Sequence, residues 1–272
     1  MMAGFMSIIS LLSDFGNRDP YVAEMKAVIL SINPHVCIVD ITHEIKKFDV
    51  RMGAYILTSA APYFPPNTVH VAVVDPGVGT KRLPIIAETS RSLYVGPDNG
   101  LLMLAASKEE ITNVYTIDNP EYMLSNVSKT FHGRDIFAPI AAYLAQGKNP
   151  SDFGQVIHDY VLPKFAKTRK KNRELLGEIL HIDDFGNIIS NLKLEDVENL
   201  GFHAGGSLLV RLGNKTLTLR FCLAYGEVPG GVPLALIGSS DFLEIAVNQG
   251  SASKIFKVKI GEAFGVSRLL SS

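Results

Sequence analysis

Residues 71–82, VAVVDPGVGTKR, constrain this chain more than any other stretch, because an apolar run stops there at a carboxylate, a Pro-Gly turn and a cationic pair. Val71, Val73 and Val74 are β-branched with almost no polarity between them, the pattern of a strand buried on both faces. Pro76 has no N–H to continue a ladder. Gly77 and Gly79 are expected to take positive φ and let the backbone approach a ligand, so that Asp75 and Arg82 curl over one spot at a strand's carboxyl end. The same residues also suit a plain turn in which Arg82 is a solvated charge.

Strands and helices alternate around this stretch. Residues 7–12 read as a buried strand, and Asp19 is placed to cap a helix that has Pro20 at its first position. Val22, Met25, Val28, Ile29 and Ile32 recur at helical spacing, giving an amphipathic helix over 20–33. Further strands are expected at 36–41, 85–88, 93–96 and 114–117, with helices over 50–61 and 136–144. The alternation predicts an α/β fold: an N-terminal domain over 1–162 with a mainly parallel sheet flanked by helices and ligand loops at the strand ends. Lys164, Lys167, Arg169, Lys170, Lys171 and Arg173 make residues 163–173 a basic stretch, read as a linker. Beyond it, short runs of Val, Ile, Leu and Thr between glycine turns predict a smaller antiparallel β-barrel-like domain over 174–272.

Composition narrows the function classes. A chain of 272 residues with 47% hydrophobic content supports one large core or two ordinary ones, and a net charge of -1 gives no reason to expect nucleic acid or an anionic membrane as partner. Cys37 and Cys222 lie far apart in apolar surroundings and read as reduced, buried thiols. Neither they nor the histidines show zinc-binding spacing, so no metal is expected. The apolar first residues lack a basic region and a cleavage site, and Ser13-Asp14 interrupts them too early for a membrane span; a cytoplasmic protein is expected.

Three polar clusters remain. Asp-Phe-Gly occurs at Asp14, Asp152 and Asp184, but the other protein-kinase elements are missing, so the triplet is turn chemistry. Asp14 follows a strand and precedes a helix, where a carboxylate accepts both hydroxyls of a ribose diol or else caps its own loop. In residues 131–135, FHGRD, His132 enters a helix from a loop and faces either a ligand or a structural partner, while Arg134 and Asp135 are expected to pair on the surface. Residues 182–187 and 243–250 end strands in polar turns suited to an adenine edge.

Taken together, SDFGNRDPYVAEMK, VDITHEI, VDPGVGTKR, VGPDNGLL, FHGRDIFAP, IDDFGN and LEIAVNQGSA make the chain similar to the adenosine-forming S-adenosyl-L-methionine (SAM) hydrolases, or SAM hydroxide adenosyltransferases, which are related to fluorinases and chlorinases. The resemblance implies a homotrimer with SAM, the substrate, held at subunit interfaces, and no cofactor. It implies that Asp75, Arg82 and His132 hold and activate a water whose proton Asp75 and His132 share, and that Asp14 binds the ribose diol. Asp183 and Asn187 match contacts to the methionine amine and to adenine, Tyr225 an adenine-stacking ring, and Ser240 and Ala252 contacts to the carboxylate and the adenine edge. Asp75 stands where the halogenases carry an uncharged residue, and Gly133 replaces their halide-facing serine. A carboxylate repels halide but orients water, so hydrolysis by attack at C5′ ranks above a SAM-dependent halogenase and above a non-catalytic SAM- or adenosine-binding protein.

Overall fold

The computed structural model describes residues 7–268 other than 173, 204 and 214. The chain divides into two units, Met1–Pro163 and Lys164–Ser272. The first is built from β1 (Ile8–Ser13), α1 (Tyr21–Ile32), β2 (Cys37–Thr42), α2 (Val50–Ala60), β3 (Val69–Val73), β4 (Pro84–Thr89), β5 (Leu93–Pro97), α3 (Met103–Ala106), β6 (Ile111–Thr116) and α4 (Ala138–Ala145). Its sheet runs β2-β1-β3-β5-β4-β6. β1 pairs parallel with β2 and β3, and β3 with β5, while β4 is antiparallel to both neighbours. The short 90–92 connection between β4 and β5 permits only a hairpin, since a parallel crossover needs a dozen or so residues.

β3 explains the apolar run. Val69, Val71 and Val73 pack with Met25 and Ile29 of α1 and with Ile140 and Ala141 of α4. On the opposite face Ala72, with Val74 just beyond the strand, packs with Leu57 of α2 and Leu101. Burying each valine contributes roughly 1.5–3 kcal/mol, so Asp75 leaves the sheet from a rigid base. α1 starts one residue later than expected. Pro20 occupies the cap with φ -74° and ψ -6°, already helical, and no side chain caps the helix, so Asp19 does not serve there.

The second unit contains β7 (Arg169–Lys171), β8 (Glu174–Ile182), β9 (Ile188–Lys193), α5 (Leu194–Glu198), β10 (Ser207–Leu212), β11 (Lys215–Phe221), β12 (Pro233–Ile237), β13 (Phe242–Val247), α6 (Ala252–Phe256) and β14 (Ala263–Arg268). The order is β14-β10-β11-β12-β13-β9-β8-β7, and pairing of β14 with β8 closes the ring into a barrel with β7 outside it. The pairings are antiparallel except β11 with β12. Leu175, Ile179, Ile188, Leu208, Val210 and Phe264 fill its interior.

The basic stretch expected as a linker is not unstructured connection. Residues Lys164–Ala166 form a 3-10 turn, and Arg169, Lys170 and Lys171 pair with Leu176, Leu175 and Glu174 as an exposed edge strand. Lysine and arginine suit that position because charge discourages a further strand from adding to the edge. Arg173, also counted in the basic run, lies outside the described residues. Among the described residues no helix is long and apolar enough to cross a membrane.

Candidate active site

The direction of strand addition reverses about β1, which has β2 on one side and β3 on the other. Ser13 lies opposite Val73 in the parallel β1–β3 register, so the chain leaves neighbouring carboxyl ends at Asp14 and at Asp75. Open parallel sheets bind ligands in the crevice at such a reversal.

Arg82 reaches back across the 75–82 turn to Asp75. Its Nε lies 3.0 Å from both carboxylate oxygens, and Nη2 donates to Oδ2 as well. The two side chains are 6% and 9% exposed, so the pair is buried and the solvated-turn alternative for Arg82 is not realised. Nη2 also lies 2.9 Å from Nδ1 of His132. A guanidinium has no lone pair to offer, so as a hydrogen bond this contact requires Nδ1 to accept and leaves the ring proton on Nε2. Burial first, and then the Arg82 charge, hold the His132 pKa below its ordinary value, which keeps the ring neutral. Arg82 Nη1 is buried and has no partner among the described residues. The guanidinium also lies over the Phe137 ring, 5.3 Å from its centroid.

The turn between the two partners is shaped by glycine, though not as expected at both positions. Gly79 has φ +74°, and a Cβ there would lie 2.3 Å from the Lys129 carbonyl oxygen. Gly77 does not adopt positive φ; a Cβ on it would meet Arg82 Cγ at 3.2 Å, so it makes room for the arginine stem.

His132 is carried by a π-helical turn, Gly133–Phe137, that leads into α4. Pro139 supplies no N–H to the Asp135 carbonyl. That carbonyl instead accepts from Leu124 N at 3.0 Å, while Ala138 N–H bonds to Gly133 O, five residues back. Such turns concentrate at functional sites. Asp135 was expected to pair with Arg134 on the surface. The pair forms, but Asp135 is fully buried and also accepts from Ser128 N at 2.8 Å, anchoring the loop before His132.

Asp14 is 6% exposed. Its Oδ2 accepts from Phe48 N at 2.8 Å, and its carbonyl receives Lys47 Nζ, so the loop-capping role is partly realised. Oδ1 has no partner among the described residues. The next residue, Phe15, packs edge-on against Phe131 with centroids 5.5 Å apart, and Tyr21 joins both rings, which brings the Asp14 and His132 loops together. A Cβ on Gly133 would meet Phe131, Met25 and Phe15 at 3.2–3.4 Å, so this aromatic wall leaves little room for a side chain.

In the barrel, Asp183 and Asn187 hold one another. Asp183 Oδ1 accepts from Asn187 N at 2.8 Å and Oδ2 from Asn187 Nδ2 at 2.9 Å. Their turn rests on the start of α6: a Cβ on Gly186 would lie 2.0 Å from Ser251 Oγ, and Ser253 N donates to Gly186 O at 2.9 Å. Buried Ala252 lies between those serines. Tyr225 donates its hydroxyl to Glu244 Oε1 at 2.8 Å. Ser240 sits in the 238–241 turn between β12 and β13, where a Cβ on Gly238 would stand 2.7 Å from Glu244 Oε2. Glu244 was missed from sequence. Burial raises its pKa, Tyr225 opposes that, and the Asp183 charge adds to it, so this carboxylate links the barrel residues. Its signal was a charge inside an otherwise apolar strand, FLEIAV.

Two family models match the chain, the SAM hydroxide adenosyltransferase N-terminal domain over residues 9–154 and the corresponding C-terminal domain over 177–264. The chain belongs to this family. Within the SAM hydroxide adenosyltransferases it is similar to a protein of Thermus thermophilus named (R)-S-adenosyl-L-methionine hydrolase, at 39% identity over 263 residues, 94% of this chain and 98% of the relative. A Methanocaldococcus jannaschii protein of the same name is 38% identical over 268 residues, 95% of each chain. A fluorinase of Nocardia brasiliensis is more distant, at 28% over 290 residues, 95% of this chain and 96% of the relative. Among solved structures, an uncharacterized conserved protein from Thermotoga maritima superposes with a TM-score of 0.89 at 39% identity, covering 96% of this chain and 100% of that one.

Proposed function

We propose that this protein hydrolyses SAM to adenosine and L-methionine by in-line attack of water at C5′ of the ribose. The observation that carries the reading is the buried Asp75–Arg82–His132 cluster, with the Arg82 Nη1 donor unpaired beside it. The names of the hydrolase relatives supply the substrate.

The sulfonium leaves as a neutral thioether and needs no acid. As the carbon–oxygen bond forms, the water oxygen gains positive charge and sheds a proton, so the charge carried in by the sulfonium leaves as one proton. Asp75 takes it. Arg82 fixes the carboxylate in place through its forked contact, and a proton leaving an oxonium-like oxygen needs only a weak base. His132 has Nδ1 turned to Arg82 and therefore donates from Nε2. In this reading it orients the water while the proton goes to Asp75. Alignment of water, C5′ and sulfur supplies the larger share of the acceleration, on the order of 7–11 kcal/mol.

Asp14 Oδ1 is the proposed ribose contact. Asp183, Asn187, Tyr225, Ser240 and Ala252 are the proposed contacts for methionine and adenine, completing the site at the subunit interfaces of a cytoplasmic homotrimer that uses no cofactor. Light scattering tests the assembly. Turnover in heavy-oxygen water tests the chemistry: label belongs at the adenosine 5′-hydroxyl, and Asp75→Asn should abolish it. A 5′-halo-5′-deoxyadenosine on adding chloride or fluoride would make the protein a halogenase. SAM binding without methionine release would make it a binding protein.

A further inference from the structure

Behind Asp14, the ends of β1 and β2 are tied by a buried histidine that the proposed chemistry does not use. His43 is 3% exposed. Its Nδ1 lies 2.8 Å from Ser13 Oγ, and its Nε2 lies 3.1 Å from Asp40 Oδ1, out of line for a full hydrogen bond. Its carbonyl accepts from Gly16 N at 2.7 Å. One residue thus grips the Asp14 loop on both sides, by side chain at Ser13 and by backbone at Gly16.

Chemistry sets the direction of each bond. The Asp40 carboxylate, which also pairs with Lys26, can only accept, so the ring proton of His43 sits on Nε2 facing it and Nδ1 accepts from the Ser13 hydroxyl. Phe15 N–H donates to the same Ser13 Oγ at 3.3 Å. Burial alone would raise the Asp40 pKa, but Lys26 and His43 together override it and hold the carboxyl below its ordinary value. The polarity of the contacts is consistent from Ser13 to Asp40.

We infer that His43 is a positioning residue for recognition of the ribose: through Ser13 it sets the orientation in which Asp14 meets a vicinal diol. The inference rests on the proposed role of Asp14. Phe48 N–H anchors Oδ2 and Lys47 Nζ holds the Asp14 carbonyl, while the His43 contacts at Ser13 and Gly16 hold the loop on either side of Asp14. Diol recognition by a carboxylate depends on two aligned, charge-assisted bonds, which a small rotation breaks together.

The test compares binding of adenosine with 2′,3′-dideoxyadenosine by calorimetry, because loss of general structure weakens both and leaves their ratio unchanged. The wild type should prefer adenosine by on the order of a hundredfold. His43→Leu and Ser13→Ala should each cut that preference about tenfold and change dideoxyadenosine affinity little. His43→Asn, whose amide oxygen reaches the place of Nδ1, should retain most of it. Ser13→Ala removes one buried hydroxyl and serves if His43→Leu fails to fold. Equal weakening of both nucleosides, or an unchanged ratio, overturns the role of His43 while Asp14→Ala still abolishes the preference. If Asp14→Ala leaves the preference intact, the ribose contact fails and this inference falls with it.

Discussion

Gly79 and Lys129 touch so closely that a methyl group on the glycine would stand 2.3 Å from the lysine carbonyl oxygen, on a backbone with φ +74°. That contact joins the loop carrying Asp75 and Arg82 to the loop carrying His132. Gly79→Ala must distort one loop or the other, and either movement breaks the 2.9 Å contact between Arg82 and His132. A misplacement of about 1 Å can cost roughly a hundredfold in rate. The expected result is a kcat/KM for SAM about a hundredfold lower, measured by methionine release, with the barrel's circular dichroism unchanged.

The lowered pKa of His132 fixes the acid side of the pH profile. Burial and Arg82 disfavour the imidazolium, so the neutral ring that donates from Nε2 persists below the ordinary histidine range near 6.5. The midpoint of the acid-side decline should therefore lie below 6.5. His132→Gln keeps a donor but cannot titrate, and should lose that decline along with part of the rate. Profiles of kcat/KM for both forms decide it; a wild-type midpoint above 6.5 contradicts the geometry.

Arg82 serves two partners at once, which a lysine cannot do. Arg82→Lys keeps the charge but gives up the forked contact with Asp75 or the bond to His132, and should lower kcat by roughly a hundredfold. Asp75→Asn is harsher for stability because it leaves a buried guanidinium without its counter-charge, at a cost of roughly 3–5 kcal/mol. Urea unfolding of the two variants should rank them in that order.

What the sequence disclosed followed from locality. Asp75 and Arg82 share one turn, and Asp183 and Asn187 share another, so spacing and turn chemistry brought each pair into view. The π turn under His132 follows from Pro139, yet its use of Leu124 as a substitute donor depends on a loop whose path local pattern does not encode. Closure of the barrel rests on β14 pairing with β8, a long-range register that neither strand specifies alone. The edge strand 169–171 resembles a linker in sequence because the charges that protect an edge also mark solvated connections. His43 stood in view within VDITHEI, but its meaning depends on Ser13, thirty residues earlier.

His70 gives the first unit a pH-sensitive buttress away from the chemistry. It is fully buried on β3, bonded through Nδ1 to Ser10 Oγ at 2.6 Å, stacked on Tyr94 with centroids 4.9 Å apart, and its Nε2 has no partner among the described residues. Burial, helped by the Arg91 charge, lowers its pKa to about 4. The unfolded chain takes up this proton near pH 6.5, whereas the folded chain resists until about 4. Between those values the unfolded state holds more protons, so stability falls as pH drops from 6.5 toward 4. Between pH 7.5 and pH 5 the linkage amounts to about 2 kcal/mol. His70→Gln does not titrate and should lower stability at neutral pH, because its packing is poorer, while losing about 2 kcal/mol less than the wild type over the same interval. Urea titrations of both proteins at the two pH values measure the difference, and parallel losses would mean that the ring charges as readily in the folded protein as in the unfolded chain.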